Sequence, residues 1–203
     1  MNKRLLKLPN ILLIRTGITS LDIQCRVWGC LDIPLAPEGE SQMDQTAGHL
    51  ASRGVYAVVS APGLASRQSA KLLAEAWKSK KRVEDGLQNI DFGLWHGKSI
   101  NELRETQPRI LKCLEERPEM VCPPNGEPVL DFRVRILATL ESLGSRYGNR
   151  QIAIVAPGPV SAVIRAIYLG HSSFDENGTA IWWDSTTLSV WHEFSGRESA
   201  LAT

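Results

Sequence analysis

Apolar residues in this chain fall into short blocks, and the blocks alternate between two kinds of spacing. Ile11–Ile14 is an unbroken apolar run closed by Arg15, and Ile152–Ala156 is another. Both have the length and β-branched content of strands buried on both faces. Val55–Ser60 predicts a strand of the same sort. Between these runs the spacing becomes helical. From Pro37 to about Arg53, Met43, Ala47, Leu50 and Ala51 recur on one face, with Pro37 in the first turn and Gly54 as the stop. A second helix passes through Ala70, Leu73 and Trp77, and the basic stretch Lys78–Arg82 reads as its solvated end. Ser99–Glu116 is helical in pattern with a break at Pro108. Pro123–Gly126 predicts a turn, Pro128 a first helical position for a helix to about Tyr147, and Pro159 the start of a helix ending near Gly170. Ala180–Phe194, rich in Trp and β-branched residues, predicts one or two more strands.

Alternation of this kind predicts an α/β fold: a three-layer α/β/α sandwich around a mostly parallel central sheet, as a single domain over residues 1–203. Ligands of such sheets bind beyond the C-terminal strand ends. Three turns follow the predicted strands there: Arg15-Thr16-Gly17, Ser60-Ala61-Pro62 and Ala156-Pro157-Gly158. They are expected to meet at one crevice.

Composition narrows the possible partners. The 203 residues are 43% apolar and 22% charged with a net charge of +1, so there is no electrostatic case for nucleic acid or a membrane surface. The basic start MNKRLLKLPN lacks an uninterrupted apolar stretch and a small-residue cleavage site, and a cytoplasmic protein is expected. Asn177-Gly178-Thr179 is a glycosylation sequon that matters only in a secreted chain. The four cysteines (Cys25, Cys30, Cys113, Cys122) form no C-x-x-C pair and have no His at ligand spacing, so reduced thiols and no metal site are expected. No cofactor motif is present. Gly97-Lys98-Ser99 has the ending of a phosphate-binding loop, but the first Gly of that pattern falls at Phe92.

The turns carry further residues in order. Ile14-Arg15-Thr16-Gly17 is followed by Gly29-Cys30-Leu31-Asp32-Ile33-Pro34-Leu35 and Pro37-Glu38-Gly39. Then come Ser60-Ala61-Pro62 with Gln68-Ser69-Ala70, and Phe92-Gly93-Leu94-Trp95-His96-Gly97. Asn125-Gly126-Glu127 with Arg135, and Val155-Ala156-Pro157-Gly158 with Ile164-Arg165, complete the series. In order and spacing the set resembles the histidine phosphatase superfamily, with its phosphoglycerate mutase-like fold. The resemblance covers nearly the whole chain.

Chemistry of that kind needs an imidazole nucleophile, neutral near pH 7, that takes the phosphoryl group and yields it to water. Arginines and a second His must face the phosphoryl oxygens, and a carboxylic acid must protonate the leaving oxygen. The resemblance puts Arg15 at the first phosphate-binding Arg. It puts Thr16 at the nucleophile, Ala65 at the second Arg, Asn89 at the acid and Pro157 at the second His. A phosphate-contacting Asn falls at Asp22, which sets a carboxylate where it would face the ligand and repel it. Gly17 and Gly158 supply backbone beside Arg15.

Two substitutes are weighed. Arg67 follows Ala65 by two positions and points to the other side of a helix. His96 lies in the W-x-G turn, as a loop His bonded to backbone or as a relocated nucleophile. His49, His171 and His192 belong to no constellation, and Trp182-Trp183 reads as core or as the border of a pocket or interface. The expectation is a pseudoenzyme that binds a small anionic or phosphorylated ligand, or a protein partner. The alternatives are a phosphomonoesterase or mutase with a relocated nucleophile, and a structural oligomerisation module.

Overall fold

The computed structural model describes residues 5–170, 191–196 and 198–200. Trp182-Trp183, His171 and the Asn177-Gly178-Thr179 sequon lie outside the described residues, as does most of the strand-like stretch from Ala180. The strands are β1 (Leu5–Lys7), β2 (Asn10–Arg15), β3 (Ala57–Ser60), β4 (Lys80–Val83), β5 (Gln151–Ala156), β6 (Trp191–Phe194) and β7 (Glu198–Ala200). The helices are α1 (Ser20–Ile23), α2 (Pro37–His49), α3 (Leu64–Trp77), α4 (Ile100–Thr106), α5 (Pro108–Glu116), α6 (Val129–Tyr147) and α7 (Gly158–Leu169).

A five-stranded sheet in the order β4-β3-β5-β2-β6 forms the middle layer; only β6 runs antiparallel. The two-residue period of the strands sorts the core into two halves. Ile11, Leu13, Val59, Ile152 and Ile154 face one side with Phe132, Ile136 and Leu140 of α6 and Val160, Val163 and Ile164 of α7. Leu12, Ile14, Val58, Ala153 and Val155 face the other, with Met43, Ala47 and Leu50 near α2 and Ala70 and Leu73 of α3. The expected three layers are therefore present. The unbroken apolar runs of β2 and β5 are explained by burial on both faces.

Several expectations need correction. The basic stretch after Trp77 is not a helix end. Lys78 takes a left-handed conformation that stops α3, and Lys80–Val83 continues as the exposed outer strand of the sheet. Its charged side chains hid it, because among the described residues only one of its edges is paired. The helix from Pro37 stops at His49, and Ala51–Arg53 is a separate tight turn closed by Gly54 at φ 65°. Pro128 caps α6 from outside rather than opening it. β1 and β7 form an antiparallel two-stranded ribbon that the apolar pattern does not predict. No helix among the described residues is long and apolar enough to cross a membrane.

One backbone contact sets where the α2 end of the molecule meets the strand ends. A Cβ at Gly17 would overlap the carbonyl oxygen of Gly39, and a Cβ at Gly39 would overlap that of Ile18. Neither obstacle is a flexible side chain, so neither yields cheaply. Gly17→Ala is expected to destabilise the protein by about 1–3 kcal/mol. The urea midpoint should fall with an unchanged m-value, whereas Gly48→Ala, which meets nothing, should be near neutral or stabilising.

Candidate functional site

β2 and β5 end in register, Arg15 opposite Ala156, and the Thr16 amide continues the ladder by donating to the Ala156 carbonyl at 3.0 Å. The turn after β2 and the start of α7 therefore leave the sheet side by side. Beyond them lies an open cleft of about 450 Å³ lined by Arg15, Asp22, Trp28, Asn89, Phe92 and Gly158, among others.

Arg15 enters this cleft from the end of β2. Gly158 lies beneath its guanidinium, at a distance where a Cβ would make ordinary contact. Opposite stands Asp22, its Oδ1 3.8 Å from Arg15 Nη2, with both side chains largely shielded (15% and 11% exposed). Asp22 is fixed by its own surroundings. Its Oδ2 accepts from the amide and hydroxyl of Thr19, both at 2.7 Å, while its amide donates to Thr19 Oγ1 at 3.3 Å. This is the reciprocal cap of the short helix α1. Trp28 Nε1 donates to Oδ1 at 3.1 Å. Sequence reasoning picked out Asp22 but missed Trp28, whose part is set by a loop fold rather than by a motif.

The other expected positions divide into those at the cleft and those below it. Asn89 lines the cleft and is buried; its Nδ2 donates to the Gly29 carbonyl at 2.9 Å and its Oδ1 accepts from the Ile90 amide at 3.0 Å. Thr16 is buried. Pro157 precedes α7 and lines a smaller adjoining hollow of about 210 Å³ with Cys30, Gln88 and Asn89. Gly17 donates its amide to Ser69 Oγ at 3.1 Å in the crossing already described. Ala65 is 1% exposed in the core packed against α2 and α3, and neither it nor Gly17 is among the lining residues of the cleft. Arg67 lies on the exposed side of α3, 3.6 Å from Asp32, whose other oxygen accepts the Leu64 amide at 2.6 Å.

His96 faces inward to the loops behind the cleft. Its Nε2 accepts from the amides of Phe92 at 3.3 Å and Cys30 at 3.4 Å, and stands 3.7 Å from Asp91 Oδ1. Gly29, at φ 46°, packs so closely that a Cβ would strike the ring. Burial pushes the His96 pKa below its usual value near 6.5, against the opposing pull of Asp91. A neutral ring with Nε2 as acceptor agrees with both facts.

Arg135 holds the segment that carries Asn89. It forms a bidentate pair with Glu127 at 3.0 and 2.7 Å and donates to the carbonyls of Gly86 and Gln88, both at 2.9 Å. The Asn125-Gly126-Glu127 motif thus serves to shape the cleft wall. Cys30, Asp91 and His96 also converge, each offering one ligand atom within 4.8 Å of the others. Their spacing along the chain gave no sign of it, because the group forms only when two separate loops meet.

Comparison with known proteins agrees with this frame. The sequence model of the histidine phosphatase superfamily (branch 1) matches residues 11–201. The chain is 26% identical over 158 residues to phosphoserine phosphatase 1 of Hydrogenobacter thermophilus, covering 78% of this chain and 74% of that protein. It is 24% identical over 167 residues to a probable phosphoglycerate mutase GpmB of an Enterobacter species, covering 82% and 77%. The mycobacterial glucosyl-3-phosphoglycerate phosphatase, solved with VO3, shares the fold with a TM-score of 0.75 over 95% of this chain and 98% of that one, at 20% identity.

The neutral His96 predicts a pH effect. Unfolded, it titrates near 6.5; folded, its value is lower, so the unfolded chain binds more protons as pH falls. The stability from this site is whole above the unfolded value and is lost as pH falls through the folded one. His192 acts in the same sense, lowered by burial and then by Arg165. Urea midpoints should therefore fall between about pH 7.5 and about pH 5.5, and less steeply in His96→Gln. An equal slope in the variant would contradict the assignment.

Proposed function

We propose that this chain, which belongs to the histidine phosphatase superfamily, retains the phosphate seat of that fold without its phosphoryl-transfer chemistry and acts as a binding or regulatory protein. The observation that carries this reading is the Arg15–Asp22 pair. The guanidinium that would meet a phosphoryl oxygen is met instead by a carboxylate of the chain itself. That carboxylate is held in place by Thr19 and Trp28.

The remaining groups support it. No histidine is among the described residues lining the cleft, and His96 has its Nε2 turned to backbone amides. A hydroxyl such as that of Thr16 is a weak nucleophile without an adjacent base. The cleft carboxylate, Asp22, already accepts hydrogen bonds on both oxygens. Asn89 has no proton of carboxylic acidity, and both ends of its amide are engaged. Pro157 has neither an N–H nor an imidazole.

The relatives named for phosphoserine, phosphoglycerate and glucosyl-3-phosphoglycerate all handle small phosphomonoesters, and that class is the ligand proposed for this cleft. Binding requires the ligand to compete with Asp22 for Arg15, which favours weak or conditional occupancy.

The deciding assay is turnover of an aryl phosphate and a panel of natural phosphomonoesters. The expected result is no hydrolysis above buffer. Turnover that disappears in Arg15→Ala or His96→Ala would overturn the proposal. Thr16→His alone is expected to restore nothing measurable, because Ala65, Asn89 and Pro157 remain, and losing one catalytic group can cost on the order of a million-fold. Asp22→Asn keeps the shape of the side chain and removes its charge. It should tighten inorganic phosphate binding by roughly tenfold, about 1.4 kcal/mol, read as a larger thermal shift. An unchanged affinity would show that Asp22 does not guard Arg15.

A further inference from the structure

We propose that Cys30, Asp91 and His96 form a binding site for a borderline-soft divalent cation such as zinc, set in the loops behind the cleft wall. The three ligand atoms, a thiol sulfur, a carboxylate oxygen and an imidazole nitrogen, lie within 4.8 Å of one another. In a tetrahedral zinc site, bonds of about 2.0–2.3 Å place neighbouring ligand atoms about 3.3–3.6 Å apart. His96 Nε2 and Asp91 Oδ1 stand 3.7 Å apart, almost at that spacing. From the 4.8 Å bound, the thiol needs to close by no more than about 1.5 Å, within the range of a side-chain rotation. Sulfur, nitrogen and oxygen together make a donor set suited to zinc rather than to magnesium or calcium.

The surroundings are consistent with a cation. All three residues are partly buried, so the site is shielded yet reachable. The Gly93 amide donates to Asp91 Oδ1 at 2.8 Å and orients the carboxylate. The Cys30 thiol is pushed up to about 11, first by burial and then by the Asp91 and Glu127 carboxylates. The two carboxylates favour a cation at this place, while burial, the larger cause, opposes charge of either sign. The balance is simple: the cation bonds to the sulfur, the S–H proton leaves to buffer, and no redox step is involved. The Nε2 lone pair accepts two long hydrogen bonds, 3.3 and 3.4 Å, and a metal bond at Nε2 would have to outweigh the loss of that acceptor to the Phe92 and Cys30 amides. Three protein ligands leave the fourth tetrahedral position to water.

Occupancy would tie the Gly29–Cys30 turn to the Asp91–His96 loop. Both turns reach the cleft through Gly29, Asn89 and Phe92, so the cation would stiffen that wall. The proposal stands apart from the catalytic reading, since none of its three ligands lines the main cleft.

Cobalt(II) tests it directly. Added to the reduced, full chain near pH 7.5, about one equivalent should give a thiolate-to-cobalt charge-transfer band and the visible bands of tetrahedral cobalt, both displaced by zinc. Cys30→Ser should abolish the charge-transfer band, although Cys25, Cys113 and Cys122 remain. Asp91→Asn should weaken cobalt binding at least tenfold. Zinc should raise the unfolding temperature of the native chain and not that of Cys30→Ser. If circular dichroism shows that Cys30→Ser does not fold, the half-exposed Asp91→Asn decides by the same readouts. No charge-transfer band in the native chain, or the same band and affinity in the folded variants, would overturn the site.

Discussion

The parallel pairing of β2 with β5 is the constraint on which the rest depends. Nine apolar positions along these two strands are excluded from water on both faces, and their register brings Arg15 opposite Ala156. Slipping the register by one residue would turn every side chain to the wrong half of the core. With the register fixed, the turn after β2 and the start of α7 leave the sheet side by side, and a guanidinium is carried to its mouth. A shielded cation at that place requires an anion. The cap of α1 supplies one as Asp22.

The cleft walls are held by polar side chains that bond to backbone. Arg135 binds carbonyls on the way to Asn89, the Asn89 amide binds the Gly29 carbonyl, and His96 receives amides from Phe92 and Cys30. Each bond satisfies a backbone group in a loop that has no ladder to join. The cost of losing any of them is the cost of a partly buried backbone group left without a partner.

What could be read from the sequence follows from how local each signal is. β2, β3 and β5 are legible because a strand buried on both faces is a continuous apolar word. The helices are legible because Pro37 and Pro159 mark starts and Pro108 marks a break, which the structure makes the boundary between α4 and α5. The outer strand β4 is not, since an edge needs no apolar face, and the β1–β7 ribbon joins residues from the two ends of the chain. At the site, the motif order pointed to Arg15, Asp22 and Asn89, which line the cleft, and to His96, which lies behind it. It did not show that Ala65 is sealed within the core, that Gly17 serves a backbone crossing, or that Trp28 orients Asp22. Those facts depend on where loops land, and no spacing encodes that.

The exposed outer strand also bears on how copies of this molecule behave towards one another. An unpaired edge presents amides and carbonyls that another sheet edge can zip onto. Lys80, Lys81 and Arg82 stand along that edge, exposed, with Lys78 just before it. Two such edges meeting would bring like charges together at a few ångströms. The repulsion weakens as the Debye length shrinks, to roughly 3 Å at 1 M salt. The same residues that concealed the strand from its hydrophobic pattern therefore act as a guard against growth of the sheet from one molecule to the next, and ionic strength sets how well that guard works.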